Sequence, residues 1–200
     1  MRPDCAARVL LAGISLLLAA PGLADDGNAE RGGKLAYTCM GCHGIENYKN
    51  AYPKYSVPKL AGQSAAYIAA ALAEYRAGAR WHPTMKGMAS TLSAQDHADL
   101  AAWFQGPERA QSGAKPVGTA PKAAAPCTAC HGQNGIGTLP ENPTLAGQHA
   151  DYLAQALNDY RRGKRQNPIM STFASQLSPD DIRAITAYFA QQQGLATPRP

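Results

Sequence analysis

The chain has 200 residues, and its 19 lysines and arginines against 14 aspartates and glutamates give a formal net charge of +5. This length allows one large domain or two small ones. The positive excess is too small to indicate a nucleic-acid-binding protein.

Residues 1–24 have the pattern of an export signal. Arg2 and Arg8 form a basic start, residues 9–20 are an apolar run, and Gly22-Leu23-Ala24 resembles a cleavage site. A membrane-spanning helix needs about 20 apolar residues, so this run is too short to cross a bilayer. We therefore expect residues 1–24 to be removed and the mature protein to be periplasmic, soluble and at most peripheral to the membrane.

Two pentapeptides, at residues 39–43 and 127–131, read Cys-x-x-Cys-His, the attachment pattern of a c-type haem. Two thiols three residues apart lie on one side of a helical turn, where each can form a thioether with a haem vinyl group. The histidine that follows can then bind the iron. The predicted covalent residues are Cys39, Cys42, Cys127 and Cys130, and the predicted iron ligands are His43 and His131. The sequence thus predicts two covalent haem c groups.

Other chemistries also use Cys-x-x-Cys pairs. A thioredoxin-like redox pair expects a strand-helix-strand setting, which this sequence does not show. Two pairs could instead form a zinc site of four thiolates. Such a site does not require the histidine that follows both pairs here. With Cys5 lost in the export signal, the four remaining cysteines all belong to the two motifs, which leaves none for a structural disulfide.

The chain contains an internal duplication. Leu-Ala-Gly-Gln occurs at 60 and again at 145, Tyr-Arg-x-Gly at 75 and 160, and Leu-Ser at 92 and 177, each pair 85 residues apart. The haem motifs are 88 residues apart, so the first unit has three extra residues between His43 and Leu60. Residues 48–55 have no counterpart in the second unit, which favours a packed loop there, with a partner surface as the alternative. The repeat predicts two similar domains in tandem.

Helical patterns fill both units, and we find no convincing strand. In the first unit, a helix capped by Asn28 or Asp26 should run from about residue 29 into the haem motif. A middle helix over 65–77 should end at Gly78, and a last helix should open at Ser93. The second unit repeats the middle helix over 150–162 and the last helix from Ser178. Trp103 and Tyr188, at equivalent positions in the last helices, should pack in the two cores.

A stretch rich in proline and glycine separates the units. It covers residues 106–126 and predicts a partly extended linker. It also stands where a helix would be expected before Cys127, so the first helix of the second unit should be absent or very short. The predicted domains are residues 25–105 and 127–200.

Each unit has one methionine that follows a proline by two residues. These are Met85 and Met170, in the loop between the middle and last helices. A thioether as sixth ligand would restrict the iron to electron exchange and raise its reduction potential. The gapless repeat places Met88 on Phe173, an apolar packing position, and His82 on Asn167, a polar one. We therefore predict Met85 and Met170 as the axial ligands.

Together, the repeated haem motif, Leu-Ala-Gly-Gln turn, middle helix rich in tyrosine, methionine after a proline and Leu-Ser cap resemble the cytochrome c4 family over nearly all of residues 25–195. That resemblance implies an all-α fold of two class I cytochrome c domains, each a small helical fold around a covalent haem. By position, it assigns Cys39, Cys42, His43 and Met85 to one haem, and Cys127, Cys130, His131 and Met170 to the other. It also implies respiratory partners, such as a quinol-oxidising complex or a terminal oxidase.

The predicted function is therefore electron transfer without catalytic turnover. The alternative is a small dihaem oxidoreductase, or the electron-accepting haem subunit of one, of the peroxidase or sulfur-compound dehydrogenase type. That alternative needs an open sixth position, and no acid/base group stands beside either motif in the sequence. Four basic residues, Arg161, Arg162, Lys164 and Arg165, indicate an exposed helix end, or alternatively a docking site for an acidic partner.

Overall fold

The computed structural model describes residues 27–107 and 115–199, so the predicted export signal lies outside the described residues. Within these ranges the chain is helical, and its only β-type pairings are three isolated bridges. The first half contains α1 (Ala29–Leu35), α2 (Tyr37–His43), α3 (Ala65–Ala77), α4 (Pro83–Ser90) and α5 (Ala94–Gln105). The second half contains a 3₁₀ helix (Lys122–Cys127), α6 (Thr128–His131), α7 (Ala150–Arg161), α8 (Pro168–Gln176) and α9 (Pro179–Ala190). None of the helices in these two ranges has the length and hydropathy to span a membrane.

Most helix limits agree with the prediction, but the first predicted helix is divided at Ala36 into α1 and α2, and α7 ends at Arg161, one residue before the predicted limit. Asn28 caps α1 by accepting a hydrogen bond from the Arg31 amide. Gly78 ends α3 with a φ of 82°, a left-handed conformation that glycine adopts without strain. Ser93 and Asp96 form a reciprocal capping box at the start of α5, and Ser178 and Asp181 form the same box at α9.

In the first half, α1 crosses α5 at very short range. A Cβ atom on Gly32 would lie 2.0 Å from the carbonyl oxygen of Asp99, so only glycine fits at this crossing. The core beside it contains the buried side chains Ile68, Leu100 and Phe104, with Trp103 packed against them. The predicted packing of Trp103 is therefore confirmed.

The second half reaches its haem motif without such a crossing. The short 3₁₀ helix replaces α1, as the proline-rich sequence predicted, and it packs on α6 and α9. Tyr188 is 4% exposed, and its hydroxyl donates a 2.7 Å hydrogen bond to the carbonyl of Gln133, in the loop after the motif. The prediction that Tyr188 is a core residue is thus confirmed. The domain boundaries at 105 and 126 stay a prediction.

The two methionine segments are helical, which corrects the expectation that Met85 and Met170 lie in loops. Pro83 and Pro168 occupy the first position of α4 and α8, where the missing amide hydrogen costs nothing and the fixed φ suits a helix. Each methionine therefore lies in the first turn of a short helix.

The expected exposed basic cluster is also corrected. Arg161, Arg162 and Lys164 are exposed, but Arg165 is only 6% exposed. It lies between the two halves, where it forms an antiparallel bridge with Arg80. Long-range pairing buries this residue, and the local sequence carries no sign of it.

Candidate haem sites

The first haem motif lies on α2, which ends at His43. The Nδ1 atom of His43 lies 2.8 Å from the carbonyl oxygen of Pro58. A carbonyl can only accept, so Nδ1 carries the hydrogen and donates it. Burial lowers the pKa of His43, which keeps the ring neutral. A neutral ring protonated at Nδ1 has its lone pair at Nε2, the form that binds a metal.

The second motif repeats this arrangement across the end of the 3₁₀ helix and α6. The Nδ1 atom of His131 donates to the carbonyl of Pro143 over 2.9 Å. His131 is 7% exposed, and burial again lowers its pKa. Pro58 and Pro143 occupy equivalent positions in the repeat, so both histidines are oriented by the same backbone group.

The four predicted thioether cysteines form no disulfide with one another in the described residues. No group of three or more histidine, cysteine or acidic side chains converges as a metal site within 27–107 and 115–199, so the two pairs do not meet as a zinc site would require. Paired thiols on one helical turn, followed by a histidine with a free Nε2, fit a covalently attached haem.

The two predicted methionine ligands lie at identical positions in their helices. The amide of Met85 donates to His82 Nδ1 over 3.3 Å, and the amide of Met170 donates to Asn167 Oδ1 over 3.0 Å. His82 and Asn167 are therefore equivalent helix caps. Both methionine side chains are half-buried. Phe173 is 39% exposed, so the expectation that the Met88 position faces apolar packing is wrong for its counterpart in the second half.

A cluster of arginine and tyrosine side chains lies where the halves meet. Arg80 and Arg165 are 4% and 6% exposed, and their guanidinium groups lie 5.1 Å and 5.0 Å from the ring centres of Tyr75 and Tyr160. Arg80 pairs with Glu74. Arg165 has no carboxylate partner in the described residues, and its Nε atom has no hydrogen-bond partner there. Sequence reasoning missed this cluster, although all its members obey the 85-residue offset.

The unmatched segment 48–55 forms a small loop next to the second half. Lys49 and Ser56 form a bridge across its base, and both bind the carboxylate of Asp151, at 2.9 Å from Lys49 Nζ and 2.9 Å from Ser56 Oγ. At its tip, Tyr52 is 96% exposed. The base of the loop therefore packs between the halves, and its tip faces solvent.

Two helical units, each with a Cys-x-x-Cys-His segment and a histidine whose Nδ1 is bound to a backbone carbonyl, are typical of the class of c-type cytochromes. A family model described as Cytochrome c matches residues 29–106 and 120–193, one match for each half. Cytochrome c4 of Pseudomonas aeruginosa is 36% identical over 203 residues, covering 93% of this chain and 98% of that protein. The crystal structure of reduced recombinant cytochrome c4 from Pseudomonas stutzeri superposes with a TM-score of 0.65 at 34% identity, covering 84% of this chain and 100% of that one.

The chain therefore belongs to the cytochrome c family, and within it to the cytochrome c4 group. Its fold is all-α with two cytochrome c domains, as predicted. Membership means that the chain carries covalently bound haem c and serves in electron transfer with redox partners. A protein called thiosulfate dehydrogenase electron acceptor, from Stutzerimonas stutzeri, is also 35% identical, covering 90% of this chain and 93% of that protein.

Proposed function

We propose that this protein is a periplasmic dihaem electron carrier in which each iron is bound by one histidine and one methionine. Haem 1 would be held by Cys39, Cys42, His43 and Met85, and haem 2 by Cys127, Cys130, His131 and Met170. The observation that carries this proposal is the twofold repetition of ligand geometry. Both histidines donate Nδ1–H to equivalent proline carbonyls, and both methionines occupy the first turn of equivalent helices.

Bound haem supplies a reversible one-electron couple at its iron, and the chain determines how that couple behaves. The proline carbonyls hold His43 and His131 in the tautomer that presents Nε2. Met85 and Met170 would each supply a thioether, which favours the ferrous state and would exclude exogenous ligands. This donor set suits rapid electron exchange, and we propose membrane respiratory complexes as partners, such as a quinol-oxidising complex or a terminal oxidase.

A mass and a spectrum test the proposal. Intact mass of the mature protein should account for residues from 25 onward plus two haems, and no thiol should titrate under native conditions. The difference spectrum between the reduced and oxidised protein should not change when carbon monoxide is added. A mass with one haem, or rapid carbon monoxide binding to either reduced haem, would contradict the proposal.

A second candidate function is the electron-accepting haem subunit of a sulfur-compound dehydrogenase. The similarity to the thiosulfate dehydrogenase electron acceptor favours it. The two candidate functions differ in the protein that donates electrons to the haems. Stopped-flow mixing of the oxidised protein with a thiosulfate dehydrogenase and thiosulfate should reduce the haems within the dehydrogenase turnover time only if this second function holds.

A further inference from the structure

Two buried glutamines connect the halves of the molecule. Gln63 and Gln148 end the two copies of the Leu-Ala-Gly-Gln repeat, and each is 4% exposed. Each side chain reaches across to the backbone of the opposite half. Neither glutamine belongs to the predicted haem ligands.

Each glutamine amide pairs with one residue of the other half through two hydrogen bonds. Gln63 accepts from the Thr144 amide over 2.9 Å and donates to the Thr144 carbonyl over 3.0 Å. Gln148 accepts from the Lys59 amide over 3.0 Å and donates to the Lys59 carbonyl over 3.0 Å. Lys59 and Thr144 are equivalent in the repeat, so the exchange is reciprocal.

The orientation of both amides is determined by their surroundings. In each half, Oε1 also accepts from the amide of the next residue, Ser64 after Gln63 and His149 after Gln148, both at short range. Two N–H groups therefore point at Oε1, and a carbonyl faces Nε2. A flipped amide would place donor against donor and acceptor against acceptor.

The peptide groups that the glutamines bind are the ones that orient the haem histidines. The amide of Lys59 and the carbonyl of Pro58 belong to one peptide group, and the amide of Thr144 and the carbonyl of Pro143 belong to another. One side of each group accepts from a ligand histidine, at 2.8 Å and 2.9 Å. The other side donates to a glutamine of the opposite half.

Hydrogen bonds through one peptide group strengthen each other. When a glutamine oxygen accepts the amide hydrogen, the peptide carbonyl becomes more negative and accepts more strongly from the histidine Nδ1–H. A more strongly held Nδ1–H makes the imidazole a better electron donor to the metal. That donation favours the ferric state and lowers the reduction potential.

We propose that Gln63 and Gln148 are positioning residues that tune the haem of the opposite domain. Gln63, in the first domain, acts on haem 2 through Pro143 and His131. Gln148, in the second domain, acts on haem 1 through Pro58 and His43. This inference rests on the proposed function, because it requires both histidines to bind iron. Under this proposal, each domain affects the reduction potential of the haem in the other domain.

The test is a pair of crossed substitutions in the full-length holoprotein, Gln63→Leu and Gln148→Leu. Two readouts report on each haem: its midpoint potential, and the solvent exchange rate of the histidine Nδ1–H in the paramagnetic proton NMR spectrum. Met85→Ala and Met170→Ala assign the two sets of signals. Gln63→Leu should raise the potential of haem 2 and accelerate Nδ1–H exchange at His131 by about tenfold, the effect of weakening one hydrogen bond of ordinary strength. Haem 1 should keep its wild-type values. Gln148→Leu should do the reverse.

Two further variants separate tuning from simple loss of the interface. Ser56→Ala removes the hydrogen bond to Asp151 between the halves without touching either histidine-bound peptide, and should move neither potential. Gln63→Glu keeps an accepting oxygen toward the Thr144 amide, and its protonated carboxyl can donate to the Thr144 carbonyl as the amide does, so it should not raise the potential of haem 2. Gln63→Met replaces Gln63→Leu as the test if the leucine variant fails to fold.

Three results would overturn the inference: equal shifts at both haems, a shift confined to the haem of the mutated domain, or a Gln63→Glu potential as high as that of Gln63→Leu. A different result would contradict the proposed function itself: a wild-type oxidised protein without the weak sulfur-to-iron absorption band. That result does not depend on the behaviour of the glutamine variants.

Discussion

The two halves orient their candidate histidine ligands in the same way, but the segments that precede their haem motifs differ. In the first half, α1 crosses α5 at Gly32, and Arg31 pairs with Asp99 and Asp96 of α5. In the second half, a 3₁₀ helix precedes the motif, and Tyr188 bonds to the loop after it. The position equivalent to Asp99 is Ala184, which cannot form an ion pair.

The halves share the groups that orient the predicted ligands and the glutamine pairing between the halves. The proline carbonyls, the caps of α4 and α8 and the glutamine pairs all obey the 85-residue offset. The second half thus reaches its haem motif through a 3₁₀ helix in place of α1, with Tyr188 hydrogen-bonded to the loop after the motif. Because α1 crosses α5 only in the first half, substitutions in α1 should affect the first half and have no equivalent in the second.

The largest expected effect is at the methionines, where the halves should behave alike. Met85→Ala and Met170→Ala should each remove about half of the weak sulfur-to-iron band of the oxidised protein and lower the potential of one haem, because the thioether favours the ferrous state. Each variant should also open one haem to carbon monoxide. Absorption spectroscopy with a redox titration measures all three changes.

The matched control for that pair is Met88→Ala. Met88 is only partly buried, so its loss should cost less than the about 2–5 kcal/mol of a fully buried methionine. The absorption band should remain complete. A band halved by Met88→Ala and unchanged by Met85→Ala would mean that the gapless repeat misassigns the ligand of the first half.

A second change should break the symmetry between the halves. Gly32→Ala places a Cβ where it would meet the Asp99 carbonyl at 2.0 Å, so α1 must move away from α5. We expect the first domain to lose about 1–3 kcal/mol of unfolding free energy, typical of overpacking, while the second domain is unchanged. Calorimetry, with the absorption band of each haem followed during heating, distinguishes the domains.

Gly87→Ala is the control for that crossing. A Cβ at Gly87 has no described atom within 4 Å, so alanine in α4 should be neutral or stabilising by about 0.5–1 kcal/mol. If both variants destabilise equally, the close approach at Gly32 is not the cause.

A third prediction concerns acid stability, which should also differ between the halves. Hydrogen bonds from the Asn28 amide and from Arg31 hold the pKa of Asp99 below its usual range. A carboxyl whose folded pKa is lowered stabilises the protein above its unfolded pKa, and this stabilisation is lost as the pH falls through the folded pKa. The first domain should therefore lose stability through the Asp99 site as the pH drops below about 4.

Asp99→Asn tests this contribution. The variant should lower the unfolding midpoint of the first domain at pH 7 and flatten its acid limb, with the second domain unaffected. Denaturant unfolding between pH 7 and pH 2 measures both effects. Identical pH dependence in variant and wild type would exclude Asp99 as the source.

The smallest expected effect should be equal in the two halves. Ser93→Ala and Ser178→Ala remove equivalent capping boxes from α5 and α9, and each should cost its own domain about 0.5–2 kcal/mol. The two losses should agree, because both boxes involve an exposed serine and an aspartate three residues later. A marked difference would show that the two last helices are not equivalent in stability.

The sequence predicted the repeat and most of the helix limits, because these depend on local rules of capping and spacing. Residues such as Ser93, Gly78 and Ser178 act within one helical turn of themselves. The helical state of the methionine segments was missed, although Pro83 with His82 before it is a recognisable helix start.

The burial of Arg165 and the pairing of Gln63 with Thr144 could not be predicted in the same way. Both depend on how one half lies against the other, and no local pattern encodes that relation. The clue was present only in the repeat, since Arg80 matches Arg165 and Gln63 matches Gln148 at the shared offset.

The reciprocal pairing across the middle of the molecule has the form of an isologous interface, the kind found in twofold-symmetric dimers. On either side of the Arg80–Arg165 bridge, the backbone amide of Trp81 donates to the carbonyl of Lys164, and the backbone amide of Gln166 donates to the carbonyl of Ala79. Two identical subunits would pair in the same reciprocal way. Here both subunits belong to one polypeptide, so each meets the other at an effective concentration of about millimolar. An interface under that condition needs little affinity of its own. It can place two like charges side by side at its centre, an arrangement that free monomers at cellular concentration would have to overcome in order to associate.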